Sequence, residues 1–179
     1  LVLREVSGAN TKIGITLNLM PIYPASDLEK DAEAAARADA FFNRWFLDPI
    51  FKGCYPEDLL EMFGEPADGL EKSDLAVIAA PLDFLGVNYY TRQVVRHDPE
   101  GWGGYQAVYV PDAQYTEMGW EIYPRGLYDL LVRLHRDYGQ PEMYITENGA
   151  AFPDQVDLDG QVRDLQRIAY LRAHFAAAH

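Results

Sequence analysis

Among 179 residues Asp and Glu outnumber Lys and Arg by 28 to 15, a formal net charge of -13 at pH 7. That field repels phosphate backbones and anionic membranes, so no nucleic acid and no membrane partner is expected. With 49% hydrophobic and 24% charged residues the chain has the usage of a soluble globular protein, and no apolar run approaches membrane-spanning length.

Cys54 is the single cysteine, which rules out an intrachain disulfide and fits a reducing, cytoplasmic setting. The chain does not begin with Met, and Leu1-Val2-Leu3-Arg4 lacks the layout of a signal peptide. The closing run Phe175-Ala176-Ala177-Ala178-His179 is helical with no stop signal, so residues 1–179 are expected to be one partial domain of something longer.

From Lys12 to Leu19 the chain alternates Ile13, Ile15, Leu17 and Leu19 against Gly14, Thr16 and Asn18, the period of two that marks a strand. Met20 to Pro24 ends it. Ser26-Asp27-Leu28-Glu29 has the S-x-x-E form of a capping box, predicting a helix through the alanine-rich stretch to about Phe46, with Asp48-Pro49 as its stop. Residues 50–82 read as short helices and loops, one opened by Tyr55-Pro56 and closed by Gly64, another capped by Ser73 and running to Ile78.

Asp83 to Thr91 is a second buried strand, with Phe84, Gly86, Asn88 and Tyr90 on one face. Residues 91–115 look like an excursion in which Gln93 to Val95 and Tyr105 to Val110 flank a glycine-rich turn. That turn has neither the spacing nor the following helix of a phosphate cradle. Pro124 suits the first turn of a helix with Leu127, Leu130, Leu131 and Leu134 at helical spacing, closed by Gly139.

Met143-Tyr144-Ile145-Thr146 then runs as a strand into Glu147, followed at once by the turn dipeptide Asn148-Gly149. A carboxylate at the exit of a buried strand must be paired, open to water, or tuned for chemistry. Val162, Leu165, Ile168, Leu171 and Phe175 mark a last amphipathic helix.

Strand, helix, strand, helix, strand, helix is the order of a parallel α/β sheet. Each strand carries polar residues at its C-terminal end: Asn18, then Asn88 with Tyr90, then Glu147. A (β/α)₈ barrel places its active site there, and a doubly wound sheet binds ligands at the same edge.

Three stretches carry a resemblance. Tyr144-Ile145-Thr146-Glu147-Asn148-Gly149 resembles the I-T-E-N-G signature of family 1 glycoside hydrolases, the β-glucosidase family. Phe84 to Thr91 resembles that family's sixth barrel strand, and Met118-Gly119-Trp120-Glu121-Ile122-Tyr123-Pro124 the segment before the seventh. Looser matches are Leu17-Asn18-Leu19 on the fifth strand and Arg167-Ile168, Tyr170-Leu171 and His174 on the helix before the eighth.

The resemblance implies strands five to seven of a (β/α)₈ barrel, with Glu147 as nucleophile and Tyr90 as the tyrosine that hydrogen-bonds it. Asn88, Trp120 and Asn18 are implied as substrate-binding residues, Trp120 covering the apolar face of a sugar ring. The implied chemistry is two-step retaining hydrolysis of a β-glycoside or oligosaccharide through a glycosyl ester. No cofactor or metal is implied, and His97, His135, His174 and His179 have no metal-ligand spacing.

The family's acid/base glutamate lies in an N-E-P motif that does not occur here. The chain alone is therefore expected to be inactive and to need the remaining half of the barrel. A 6-phospho-β-glycosidase, a β-galactosidase, or a non-catalytic piece packed on another chain are the alternatives.

Overall fold

The computed structural model describes residues 2–8, 10–64 and 72–179. In chain order come α1 (Val2–Val6), β1 (Gly14–Asn18), β2 (Ile22–Pro24), α2 (Glu29–Asp39), a π-helical turn (Ala40–Arg44) and α3 (Trp45–Lys52). Next are α4 (Glu57–Phe63), α5 (Lys72–Ile78), β3 (Phe84–Asn88), β4 (Gln93–His97), a 3-10 turn (Trp102–Gly104) and β5 (Tyr105–Ala107). The last three are α6 (Pro124–Asp137), β6 (Met143–Glu147) and α7 (Leu165–Ala178). The loop expected between α4 and α5 lies at 65–71, outside the described residues.

β1, β3 and β6 form a parallel sheet in that order, and the run from each of them to the next passes through a helix. These are three consecutive βα units of one side of a barrel, as the strand and helix order predicts. Asn18 lies opposite Asn88, and Gly14 opposite Phe84, so β1 and β3 end level. β3 is the central strand, with Leu85, Gly86 and Val87 buried.

The main core joins Leu85, Val87 and Tyr89 of the β3 segment to Leu127, Leu130 and Leu134 of α6, with Leu19 and Leu47 alongside. Each leucine so buried contributes roughly 1.5–3 kcal/mol relative to exposure. The buried Tyr89 hydroxyl donates to the Tyr123 carbonyl at 2.5 Å, and a Cβ on Gly126 would come within 2.5 Å of the same oxygen. The first turn of α6 can pack on β3 only because residue 126 has no side chain. Gly86 is needed for the same reason, since a Cβ there would meet Thr16 Oγ1 at 2.3 Å and Thr146 Cγ2 at 3.0 Å.

Several expectations are corrected. The capping box does not form: Leu28 occupies the cap position without a side-chain bond, and the Ser26 hydroxyl turns to the Asp31 carboxylate at 2.5 Å. Asp31 in turn accepts the His97 N–H at 2.8 Å, so it ties α2 to β4.

The single helix expected to Phe46 is interrupted by the π-helical turn, where the buried Asn43 side chain grips the backbone of Met20. Its Nδ2 donates to the Met20 carbonyl at 2.8 Å and its Oδ1 accepts the Met20 N–H at 3.0 Å, anchoring the exit of β1. Helix then continues past Pro49 to Gly53, whose left-handed φ of 69° ends it. Ser73 lies inside α5 rather than at its cap.

The excursion is a second small sheet in which β4 pairs antiparallel with β5 and parallel with β2, a strand not expected after β1. On α7 the buried residues are Tyr170 and His174, while Leu165, Ile168 and Phe175 are 71%, 60% and 67% exposed. Within residues 1–179 the apolar stripe that marks this helix in sequence is therefore its exposed side. The buried side carries Tyr170, whose hydroxyl bonds Asn148 and the Tyr90 carbonyl, and His174, which bonds the Tyr170 carbonyl of its own helix.

Candidate active site

Strict alternation from Met143 would put Glu147 on the side of Met143 and Ile145, and Met143 packs against the main core. Glu147 does not point there. The pairing of β3 with β6 runs Val87 opposite Ile145 and then Asn88 opposite Glu147, so the register shifts and one extra residue enters β6. This bulge re-aims the carboxylate onto the Phe84, Gly86 and Asn88 face. Glu147 is exposed at the C-terminal end of the sheet.

There the Tyr90 hydroxyl donates to Glu147 Oε2. The hydrogen bond to Glu147 holds the Tyr90 phenol above its ordinary pKa of 10.0, with desolvation adding to it. The phenol therefore keeps its proton through neutral pH and remains a donor to the carboxylate it faces. The ring of Trp120 lies 5.2 Å from that of Tyr90 at 48° and is half-buried, leaving part of its surface at the same mouth.

Asn88 sits one hydrogen bond away from this group, its Oδ1 accepting Thr146 Oγ1 at 2.7 Å. Asn18 stands apart. It is exposed at the end of β1, two strands from β6, roughly 10 Å across the sheet at about 4.8 Å per strand. It borders a cavity of about 510 Å³ with Phe41, Phe42 and Trp45. Glu147, Tyr90 and Trp120 are thus brought together, Asn88 adjoins them, and Asn18 does not.

Two supports were missed in the sequence. Arg92 makes a bidentate pair with the buried Glu121 at 2.9 and 2.8 Å, and its guanidinium lies 3.5 Å from the centroid of the Tyr123 ring. Arg92 is two residues beyond Tyr90 and Glu121 one beyond Trp120, so the pair fastens the Trp120 segment to the exit of β3. Thr91 Oγ1 adds a bond to the Glu121 carbonyl at 2.9 Å. Opposite charges 29 positions apart give no periodic signal.

The second support is Asn148, whose side-chain amide donates to the Tyr89 carbonyl at 2.9 Å and to the Tyr170 hydroxyl at 3.1 Å. Asn148 reads in sequence only as half of a turn dipeptide.

Among the described residues no group of three His, Cys, Asp or Glu could hold a metal ion, and no helix is long and apolar enough to cross a membrane. What the mouth offers is one aimed carboxylate, one phenol donor and one aromatic face. Such a group can attack an electrophilic carbon and hold a flat apolar ring.

Comparison with known proteins bears on that arrangement. The family model described as Glycosyl hydrolase family 1 matches residues 2–179. Beta-glucosidase A of Acetivibrio thermocellus is 42% identical over 176 residues, covering 95% of this chain and 39% of the relative. A 6-phospho-beta-glucosidase of Bacillus subtilis is 36% identical over 188 residues, covering 94% of this chain and 40% of the relative. Among solved structures, the family 1 beta-glucosidase of Thermotoga maritima in complex with isofagomine lactam superposes with a TM-score of 0.91 at 43% identity. That superposition covers 99% of this chain and 39% of the other. The chain spans about two-fifths of the length of the curated relatives it matches.

Proposed function

Because this chain belongs to glycosyl hydrolase family 1, we propose that it is the nucleophile-bearing part of a retaining β-glucosidase, one partial domain whose barrel is completed by the rest of the protein. The observation that carries the proposal is the Tyr90 hydroxyl bound to the Glu147 carboxylate at the C-terminal end of a parallel sheet. Barrel enzymes do their chemistry at that end.

In the proposed reaction a Glu147 carboxylate oxygen attacks the anomeric carbon as the bond to the aglycone oxygen breaks. A second carboxyl group, from residues outside this chain, gives its proton to the departing oxygen. Water then adds at the same carbon with that second group as base, releasing the sugar and restoring Glu147. Tyr90 orients the nucleophile by donating to its carboxylate. Trp120 covers the C–H face of the pyranose ring, with Asn88 as a polar contact beside it and Asn18, further across the sheet, as one on the leaving-group side. No cofactor enters these steps, and the lone, exposed Cys54 supports a cytoplasmic setting.

A second reading is a 6-phospho-β-glucosidase, favoured by the Bacillus subtilis relative. Comparing kcat/KM for the aryl β-glucoside and its 6-phosphate in the complete protein chooses between the two.

The role of Glu147 is tested by an aryl β-glucoside fluorinated at C2, which slows hydrolysis of the glycosyl ester more than its formation. Peptide mapping should place the sugar on Glu147, and Glu147→Ala should abolish turnover while the fold remains. Sugar on any other carboxylate would overturn the assignment.

A further inference from the structure

The sheet holds Glu147 opposite Asn88 but stops short of Tyr90. β3 ends at Asn88 and β6 at Glu147, and the bulge has already broken their register. The last backbone bond joining the two segments runs from Tyr89 N–H to the Glu147 carbonyl at 2.9 Å. Tyr90 and Asn148 both lie beyond the strands, where side-chain bonds take over from the ladder in holding the two segments together.

A single hydroxyl spans them. Tyr170 of α7 accepts the Asn148 amide at 3.1 Å and donates to the Tyr90 carbonyl at 3.3 Å, while the same amide also donates to the Tyr89 carbonyl at 2.9 Å. The residue after the expected nucleophile is thereby tied to the backbone of the residue that hydrogen-bonds it.

The hydroxyl itself is well held. Tyr170 is 2% exposed and stacks on His174, ring centroids 3.9 Å apart and planes at 28°. His174 Nδ1 lies 2.8 Å from the Tyr170 carbonyl, which can only accept, so Nδ1 carries the proton and the imidazole is locked in orientation. Burial pushes the Tyr170 phenol up to about 12, against the opposing Asn148 amide and Gly149 N–H, so its proton is available at every working pH.

We infer that Tyr170 is a positioning residue for Glu147: its hydroxyl brackets the backbone of Tyr90 and the side chain of Asn148, and so fixes phenol donor and carboxylate at one separation. The inference rests on the proposed role of Glu147. It gives the sheet-facing side of α7 a task in the reaction beyond packing.

Tyr170→Phe in the complete protein keeps the ring and deletes the bracket. It should lower kcat for an aryl β-glucoside by about 10- to 100-fold with KM little changed, because aim rather than sugar binding is lost. Tyr90→Phe acts on the same carboxylate, so the double variant should be little slower than the slower single variant, whereas losses that multiply would overturn the inference.

A readout independent of turnover is the titration of Tyr90, followed by NMR of ring-carbon-labelled tyrosine. In Tyr170→Phe it should fall back toward the ordinary phenol range, and an unchanged titration would count against the bracket. If Tyr170→Phe does not fold, Asn148→Ala removes the strand-side half of the bracket, together with the bond from Asn148 to the Tyr89 carbonyl, and is read in the same ways.

The fluorinated glucoside separates this inference from the proposal beneath it. Sugar on Glu147 with a labelling rate in Tyr170→Phe equal to wild type would overturn the bracket alone. Sugar elsewhere would overturn both.

Discussion

The Arg92–Glu121 pair is a contact outside the main core whose removal should be costly. Its side chains are only 15% and 9% exposed, both guanidinium bonds are short, and the Tyr123 ring covers the cation at 3.5 Å. Burial works against the charge on Arg92, yet the bonds and charge of Glu121 still leave its pKa above the ordinary value. In Glu121→Ala the guanidinium stays buried without its counter-ion, a loss of about 3–5 kcal/mol for a buried pair broken from one side. That is about 10²- to 10⁴-fold in the folding equilibrium constant at 1.36 kcal/mol per decade.

Glu121→Gln keeps an acceptor and should cost clearly less. Replacing both partners, as in Arg92→Met with Glu121→Leu, should recover most of the loss because no unpaired charge remains. Urea unfolding of the complete protein measures all three, as a shift in midpoint at constant slope. KM for a β-glucoside should rise in Glu121→Ala as the Trp120 segment loosens. A Glu121→Ala protein within about 1 kcal/mol of wild type would show the pair to be screened like a surface ion pair, and the reasoning would fail.

Residues 1–179 alone should not turn over an aryl β-glucoside, since the proposed reaction draws on a general acid from residues outside this chain, a group typically worth about 10²–10⁴-fold; ordinary glycosidase rates from the purified segment would contradict this. The same segment should self-associate in sedimentation, because β1 and β6 are open edges with Ile15, Tyr144 and Ile145 at 38%, 46% and 39% exposure, and a compact monomer with a sharp melt would count against it. Burial holds His174 below its ordinary 6.5, so on acidification the unfolded chain takes up the proton first. The stability this contributes is present above about 6.5 and lost as pH falls from there toward the lower folded value; His174→Gln should flatten that dependence, and parallel melting curves for the two proteins would refute it.

The three parallel strands, their helices and the mouth residues were legible because each depends on local pattern: period two in 12–19 and 83–91, leucines at helical spacing in α6, and a carboxylate beside a turn dipeptide. The signature around Glu147 could be recognised for the same reason, since six consecutive residues carry it. Tertiary structure decided the rest. Alternation alone sends Glu147 to the core side, and only pairing with β3 inserts the bulge that turns it toward Tyr90. The stripe on α7 was visible in sequence, yet the face turned to the sheet is the one whose Tyr170 hydroxyl finds partners at the strand ends, with the His174 imidazole bonded back to its own helix. Ser26 had the form of a cap and became a partner of Asp31, because Asp31 also reaches the backbone of His97, 66 positions away. Arg92 with Glu121, and Tyr170 with Asn148, are invisible in the same way. A hydrogen bond between distant residues depends on the meeting of two elements, and periodicity within either one carries no record of it.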